Sequence, residues 1–453
     1  MKNRKYYYIW LSLISAICYL LIGYFTVRSN FTQLIILYTL TFAAFILLSK
    51  KASTESINSL LIVSIIFRLI FIIAIPNLSD DFYRFIWDGR LINHHINPYL
   101  ILPSSLNSLA LAQFNLADLY PYLNSPNYFT IYPPLNQLVF AASTYFFPHG
   151  LLGSVILIRV FLILADIGSI IFIRKILRKL ALPASNVLFY ALNPIVIIEL
   201  AGNLHFEGLL IFFFLISLWF VIENKPIYSS LSLGFSIAVK LVPLIFLPLI
   251  VRKIGLKKSI IFCCITLSVF LASFIPFAST ELFQNVFSSI DLYFQKFEFN
   301  ASIYYLIRYI GYLIKGYNII HVSGVVLSIV TALFIGLTAI FFKRKNNQQF
   351  FNKLLLISSG YLFMALVIHP WYVIIPLTLS VFTTYRFPVL WSYTCIFSYA
   401  TYRAHPYQEV LWLTFLEYML VGVFLVYELK SNGKSYQGPR REFDCLNKIK
   451  TNH

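Results

Sequence analysis

Apolar residues run through this chain in long stretches, not in short alternations. Runs at about 7–26, 31–49 and 58–75 open the sequence. At 1.5 Å per residue, each is about long enough to cross a hydrocarbon core of roughly 30 Å as a helix. A membrane barrel would instead show alternation over about ten residues per strand. The pattern then breaks, and 76–131 holds no continuous apolar run. Inside that break, the segment from Asp81 to about His94 carries Phe82, Phe85, Ile86 and Leu91 at helical spacing. That spacing predicts an amphipathic helix lying on a membrane surface.

Apolar runs resume at about 133–147, opened by two prolines, and at 153–173, 185–201, 206–222, 228–251, 258–277 and 319–342. Four shorter ones follow at about 354–368, 371–384, 388–400 and 410–428. The run at 228–251 is interrupted by Lys240 and Pro243, which predicts two short helices meeting near the lysine. Irregular backbone is tolerated at membrane depth only where protein or a polar cavity receives it. The pattern predicts an all-α polytopic membrane protein of about 12–14 helices. One transmembrane domain covers 1–430, with large loops at about 76–131 and 279–317, and a basic tail occupies 431–453.

Composition agrees. Of 453 residues, 59% are hydrophobic and only 11% charged, and mean hydropathy is +0.78. Soluble domains carry about a quarter charged residues. The net charge of +18 changes the picture by setting orientation, because Lys and Arg gather in short clusters between apolar runs, as cytoplasmic loops do. Such clusters lie at 2–5, 50–51, 174–179, 252–253 and 343–345 and in the tail. They place both termini in the cytoplasm, and 76–131, 202–207, 279–317, 369–372 and 403–406 outside. No basic stripe interleaved with aromatics marks a nucleic-acid groove. The first run follows Lys2, Arg4 and Lys5 and lacks a small-residue cleavage site, so it reads as a retained span. Cys18, Cys263, Cys264 and Cys395 sit in apolar runs and Cys445 in the tail, with neither disulfide nor zinc spacing.

The first external loop concentrates the candidate chemistry. Asp80 and Asp81 are adjacent, Arg84 follows one turn on, and Trp87, Asp88 and Arg90 complete the stretch. A carboxylate can simply cap a helix N-terminus. A pair with Arg84 at i+3 from Asp81 points instead to a general base beside a phosphate-binding cation. His205 and Glu207 occupy a tight external loop, where a histidine could equally serve packing. Lys240 lies in mid-membrane, where an unpaired ammonium costs about 3 kcal/mol or more, so it requires a carboxylate or a phosphate. His369 and Trp371 could anchor an aromatic belt or line a site. Arg159 and Asp166, on one helix face, are expected to pair with neighbours structurally. The glycosylation patterns at Asn30 and Asn300 carry no weight, since chance produces them readily.

Several pieces, in order, carry a resemblance. They are Asp80-Asp-Phe-Tyr-Arg-Phe-Ile-Trp-Asp-Gly-Arg90 with Asn97-Pro-Tyr99, then Tyr132-Pro-Pro-Leu135, Asn193-Pro194 and Gly202-Asn-Leu-His-Phe-Glu207. Lys240-Leu-Val-Pro243, Phe299-Asn-Ala-Ser302 and His369-Pro-Trp-Tyr372 complete the set. Together they resemble the GT-C superfamily of polytopic glycosyltransferases, in particular the bacterial polyprenol-phosphate-mannose-dependent alpha-mannosyltransferases. The resemblance implies a bacterial inner-membrane enzyme with its active site on the outer face. It would move a hexose such as mannose, with inversion, from a polyprenyl-phosphate sugar to a lipid or glycan acceptor. Asp81 maps onto the base of the aminoarabinose-transferase relatives, with Arg84 as its partner and Asp80 as the adjacent carboxylate. The resemblance implies substrate contacts from Arg84, Asp88, Arg90, Tyr132, His205, Glu207, Lys240, Asn300, His369 and Trp371. Two departures stand out. Tyr132 replaces a lysine common before the two prolines, which shifts phosphate binding to Arg84 or Lys240, and Glu207 stands where relatives tend to have Asp. Aromatics such as Tyr83, Trp87, Tyr132 and Trp371 could stack on sugars or line a lipid groove. A divalent metal is optional in the superfamily, and no metal ligand set stands out. The rival readings are a flippase for lipid-linked sugars, which should show internal repeats, and a glycan polymerase or ligase.

Overall fold

The computed structural model describes residues 2–295, 297–343, 346–404 and 406–435. Arg344 and Lys345 of one basic cluster, His405, and 436–453 of the tail with Cys445 lie outside the described residues. The described chain is helical, and its only extended pairing is an isolated bridge between Phe299 and Val367. Among the described residues, six helices are long and apolar enough to cross a membrane. They are Tyr6–Phe25, Phe31–Lys51, Leu151–Lys179, Leu256–Phe277, Ile320–Ile340 and Leu411–Ser431. Closing every backbone hydrogen bond within the segment is what lets such runs sit in hydrocarbon. One hydrophobic core runs through the chain, from Cys18 to Val421.

Several runs that read as single spans are broken, and proline explains the breaks. The run at 185–201 divides into Ala184–Ala191 and Pro194–Gly202, bent by 50°. Asn193 accepts from the amide of Ile195 and restarts the helix, with Pro194 in the first turn, where its missing N–H costs nothing. Pro370 and Pro388 likewise open short pieces, Pro370–Val373 followed by Ile374–Ser380, and Phe387–Thr394 followed by Cys395–Arg403. The break expected near Lys240 is present. Pro226–Val239 ends there, Lys240 is extended (φ −161°, ψ 141°), and the chain resumes at Val242–Phe246 and Leu247–Ile254. The side chain of Asn136 donates to the freed carbonyl of Val239 at 2.8 Å.

Helix α1 (Asp81–Asn93) forms where the aromatic spacing predicts it, but not as a surface helix. Phe82, Phe85, Ile86, Trp87 and Leu91 are buried, and so are Arg84, Asp88 and Arg90 on its polar side. Two neighbours enclose it. Helix α2 (Pro134–Phe146) packs so closely that a Cβ on Gly89 would lie 2.4 Å from the carbonyl oxygen of Phe140. The rings of Phe85 and Phe140 stack at 4.7 Å. Segment 115–130 covers the polar side. The amphipathic pattern is therefore matched by protein on both faces, not by lipid on one and water on the other.

Two buried arginines hold the surrounding helices, and Arg159 and Asp166 each pair with neighbours as expected. Arg68 pairs with Asp166 at 2.5 Å, which also accepts from Tyr190 at 2.6 Å. Arg159 donates to the carbonyls of Ala201 and Ile72 at 2.6 and 2.9 Å.

Candidate active site

The first turn of α1 presents its two carboxylates differently. Asp80 stands at the helix boundary but makes no capping bond. It pairs with Arg28 at 2.5 Å, and that guanidinium also donates to Tyr407 at 2.9 Å and lies over the Tyr402 ring. Asp81 is partly exposed, and its one side-chain hydrogen bond among the described residues comes from Asn124 Nδ2 at 2.9 Å. Its charge reaches the hydroxyls of Tyr372 and Tyr402. Neither carboxylate caps the helix, so the bland reading of the pair lacks its hydrogen bond.

One turn on, the polar residues are consumed internally. Arg84 does not meet Asp81. Its Nε pairs with Asp88 Oδ1 at 2.9 Å, and its Nη1 donates to the carbonyls of Ser125 and Tyr128. Asp88 Oδ2 accepts from Thr130 at 2.5 Å and Gln137 at 3.0 Å. Arg90 donates to the carbonyl of Asn115 and pairs with Asp118 at 2.7 Å. These three side chains stitch segment 115–130 onto the helix. The carbonyl of Tyr132 accepts from Tyr99 at 2.6 Å, while its ring meets Phe85 and Phe140 edge-on. Trp87 is fully buried, which leaves no face for a sugar.

The other side of the opening comes from 197–207 and 369–372. The turn Ile197–Gly202 is wound as a π-helix, a local widening often found at functional sites. Leu204, buried and with φ +64°, takes a left-handed conformation that costs a non-glycine residue about 1–3 kcal/mol. The result is that His205 lies flat on Trp371, with ring centroids 3.6 Å apart and planes at 18°. His369 covers the opposite face of Trp371 at 4.4 Å, and Phe299 follows at 4.8 Å. Both faces of Trp371 are thus occupied by imidazoles, so sugar stacking there is ruled out and only its edge is available. Desolvation, with Lys240 and His205 nearby, pushes the His369 imidazole down to about 3, and it stays neutral.

Lys240 meets the protein carboxylate that an ammonium inside an apolar run demands. Its Nζ is 2.5 Å from Glu207 Oε1 and 4.2 Å from the centre of the Tyr372 ring, and its side chain remains one-third exposed. Glu207 also borders a narrow apolar cleft lined by Val242, Ile245, Tyr361, Leu362 and Ile375. Asn300 is tied away from this opening. Its side chain donates to Glu417 at 3.1 Å, its amide donates to Glu409 at 3.0 Å, and its carbonyl accepts from Tyr418 at 2.6 Å. That clamp fixes the neighbouring Phe299 on His369.

The fold therefore gathers Asp81, Lys240, Glu207, His205, Trp371 and His369, and sets Arg84, Asp88, Arg90, Tyr132 and Asn300 in the frame around them. Sequence reasoning passed over Glu199. It is fully buried, accepts from Asn203 at 2.9 Å and from Tyr399 at 2.8 Å, and lies 3.2 Å from His205 Nε2. The available signal was a lone acid inside an apolar run, which is costly unless it has work to do. Among the described residues, no three His, Cys, Asp or Glu side chains gather closely enough to hold a metal ion.

A polytopic helical protein with a partly exposed carboxylate at the start of a buried helix, and a lysine–glutamate pair near the same tyrosine, Tyr372, has the parts of a membrane-embedded transferase. Residues 19–254 match the family model for the N-terminal domain of alpha-(1->6)-mannopyranosyltransferase, the MptA/B family. The chain belongs to that family, a GT-C-type mannosyltransferase family of integral membrane glycosyltransferases. No curated protein and no solved structure matches the chain. The matched stretch takes in Asp81, Glu199, His205, Glu207 and Lys240, and stops short of Asn300 and His369.

Proposed function

We propose that the protein transfers a mannosyl residue from a polyprenyl-phosphate donor to a hydroxyl of a lipid or glycan acceptor, with inversion at the anomeric carbon. Family membership supports mannosyl transfer. The observation that carries the assignment of roles is Asp81. It is the partly exposed carboxylate at the helix start with only an amide for a partner, and it stands within electrostatic reach of Tyr372 beside Lys240. A carboxylate so placed can take the proton of the acceptor hydroxyl as that oxygen attacks. The departing lipid phosphate needs charge stabilisation, which a fixed cation supplies best in a site of low dielectric. With Arg84 committed to Asp88, that cation is Lys240, whose side chain remains one-third exposed beside Glu207. The clustering of basic residues supports an outward-facing site in a bacterial plasma membrane, with both termini in the cytoplasm.

The test is the purified protein in lipid nanodiscs with a synthetic β-linked polyprenyl phosphomannose and a glycolipid acceptor. The expected products are an α-mannosylated acceptor and free polyprenyl phosphate, read by NMR of the anomeric centre. A β product, or transfer from a nucleotide sugar alone, would overturn the reading. Movement of intact donor across a bilayer without cleavage would favour a flippase. An unchanged donor KM in Lys240→Ala would remove the phosphate role from that lysine.

A further inference from the structure

The turn at 197–205 departs from α-helical geometry. A π-helical turn, a left-handed buried leucine and a fully buried carboxylate occur within eight residues, and together they deliver one side chain, His205. Its amide donates to the carbonyl of Glu199 at 3.0 Å, closing the turn on itself. Its Nε2 faces the Glu199 carboxylate at 3.2 Å, off the line of a hydrogen bond. Its Nδ1 has no partner among the described residues. Glu199 is itself held from two directions, by Asn203 on the same turn and by Tyr399 from the far end of the chain. Backbone strain held in place by surrounding contacts is a signature of pre-organised functional groups.

We infer that Glu199 is a positioning residue that orients His205 as an imidazolium, whose free Nδ1–H meets the phosphate of the lipid-linked donor and hands it a proton as it leaves. The inference rests on the proposed transfer. In that step the acceptor oxygen gives its proton to Asp81 and bonds to the anomeric carbon. The bond from that carbon to the phosphate oxygen breaks, and its electron pair stays with the phosphate. The proton from Nδ1 goes to the phosphate, leaving His205 neutral until solvent recharges it. A second donor fits the charge balance. The nearby cations Lys240, Arg84 and Arg28 are each already paired with one carboxylate, whereas a departing monoester gains a negative charge. Aromatic stacking on Trp371 suits a cationic ring.

The groups that face His205 are Glu199 on its own turn, Glu207 and Lys240 beside it, and His369 across Trp371. His369 stays neutral over the working range. An alkaline limb in the profile would therefore be that of His205, the group that must carry the proton. The experiment is the pH profile of kcat/KM for transfer from polyprenyl phosphomannose, with folded protein quantified at each point. Glu199→Gln should move the alkaline limb down by about one pH unit or more, because the anion that favours the charged ring is gone. Tyr399→Phe should move it up, because the same carboxylate loses a hydrogen bond and becomes a stronger partner. In a His205→Gln background the limb should vanish, and Glu199→Gln should then add no further loss. Activity lowered equally at every pH, with the limb unmoved in both single variants, would make Glu199 purely structural and overturn the inference. If Glu199→Gln does not fold, the direction of the Tyr399→Phe shift decides alone. A wild-type protein inactive on this donor would instead defeat the underlying reading of the substrate.

Discussion

Helix α1 carries two acidic sites about two turns apart that fare in opposite ways. At its start, Asp81 is partly open and bonded only to an amide. Seven residues on, Asp88 is sealed beneath segment 115–130 with an arginine, a threonine and a glutamine upon it. A buried carboxylate with its full complement of donors stays where it is and holds structure. One that is partly exposed and has spare lone pairs can accept a proton. On the proposed reading a single short motif supplies both the tool and the frame that aims it, and proximity in sequence says nothing about which residue plays which part.

The difference can be broken from either side. The largest expected effect is Asp81→Asn, which should lower turnover by roughly 10²–10⁴-fold, the usual worth of a general base, while protein yield and Tm in detergent stay at wild-type values. Asp88→Ala should do the reverse. It strands the Arg84 guanidinium in the interior, at a cost of about 3–5 kcal/mol, so folded yield and Tm should fall steeply. Gly89→Ala should destabilise by about 1–3 kcal/mol, since a methyl group would press on the backbone of α2 at Phe140, and a thermal melt would detect it. The smallest effect belongs to Asp80→Asn. Its pair with Arg28 is only partly buried and worth about 0–1 kcal/mol, so turnover should stay within a few-fold of wild type.

Much of this was legible in the chain. The extent of α1 followed from aromatic spacing, and the break at Lys240 from a charge and a proline inside an apolar run. The ordered motifs named the superfamily that the family match supports. What the sequence could not convey was enclosure. Arg84 stands at i+3 from Asp81 and at i+4 to Asp88, and both spacings permit a pair on a helix. The second prevails because segment 115–130 folds back and excludes water, a tertiary event that no local spacing records. Trp371 read as a sugar platform for the same reason, since one of the histidines on its faces, His205, comes from a distant position in the chain, and nothing local shows that His369, two residues away, folds onto the other. Glu199 was hidden more deeply. Its run looks like half a span, and its partner Tyr399 lies two hundred residues further on.

The central claim is that Asp81 does chemistry and Asp88 does not. It is tested most directly by turnover per folded molecule in Asp81→Asn beside Asp88→Asn, each assayed in nanodiscs with polyprenyl phosphomannose after removal of aggregated protein. Asp81→Asn is predicted to be fully folded and at least about a hundredfold slower. Whatever Asp88→Asn survives purification should turn over near the wild-type rate. An Asp81→Asn protein with wild-type turnover, or a well-folded Asp88→Asn protein that is inactive, would contradict the account.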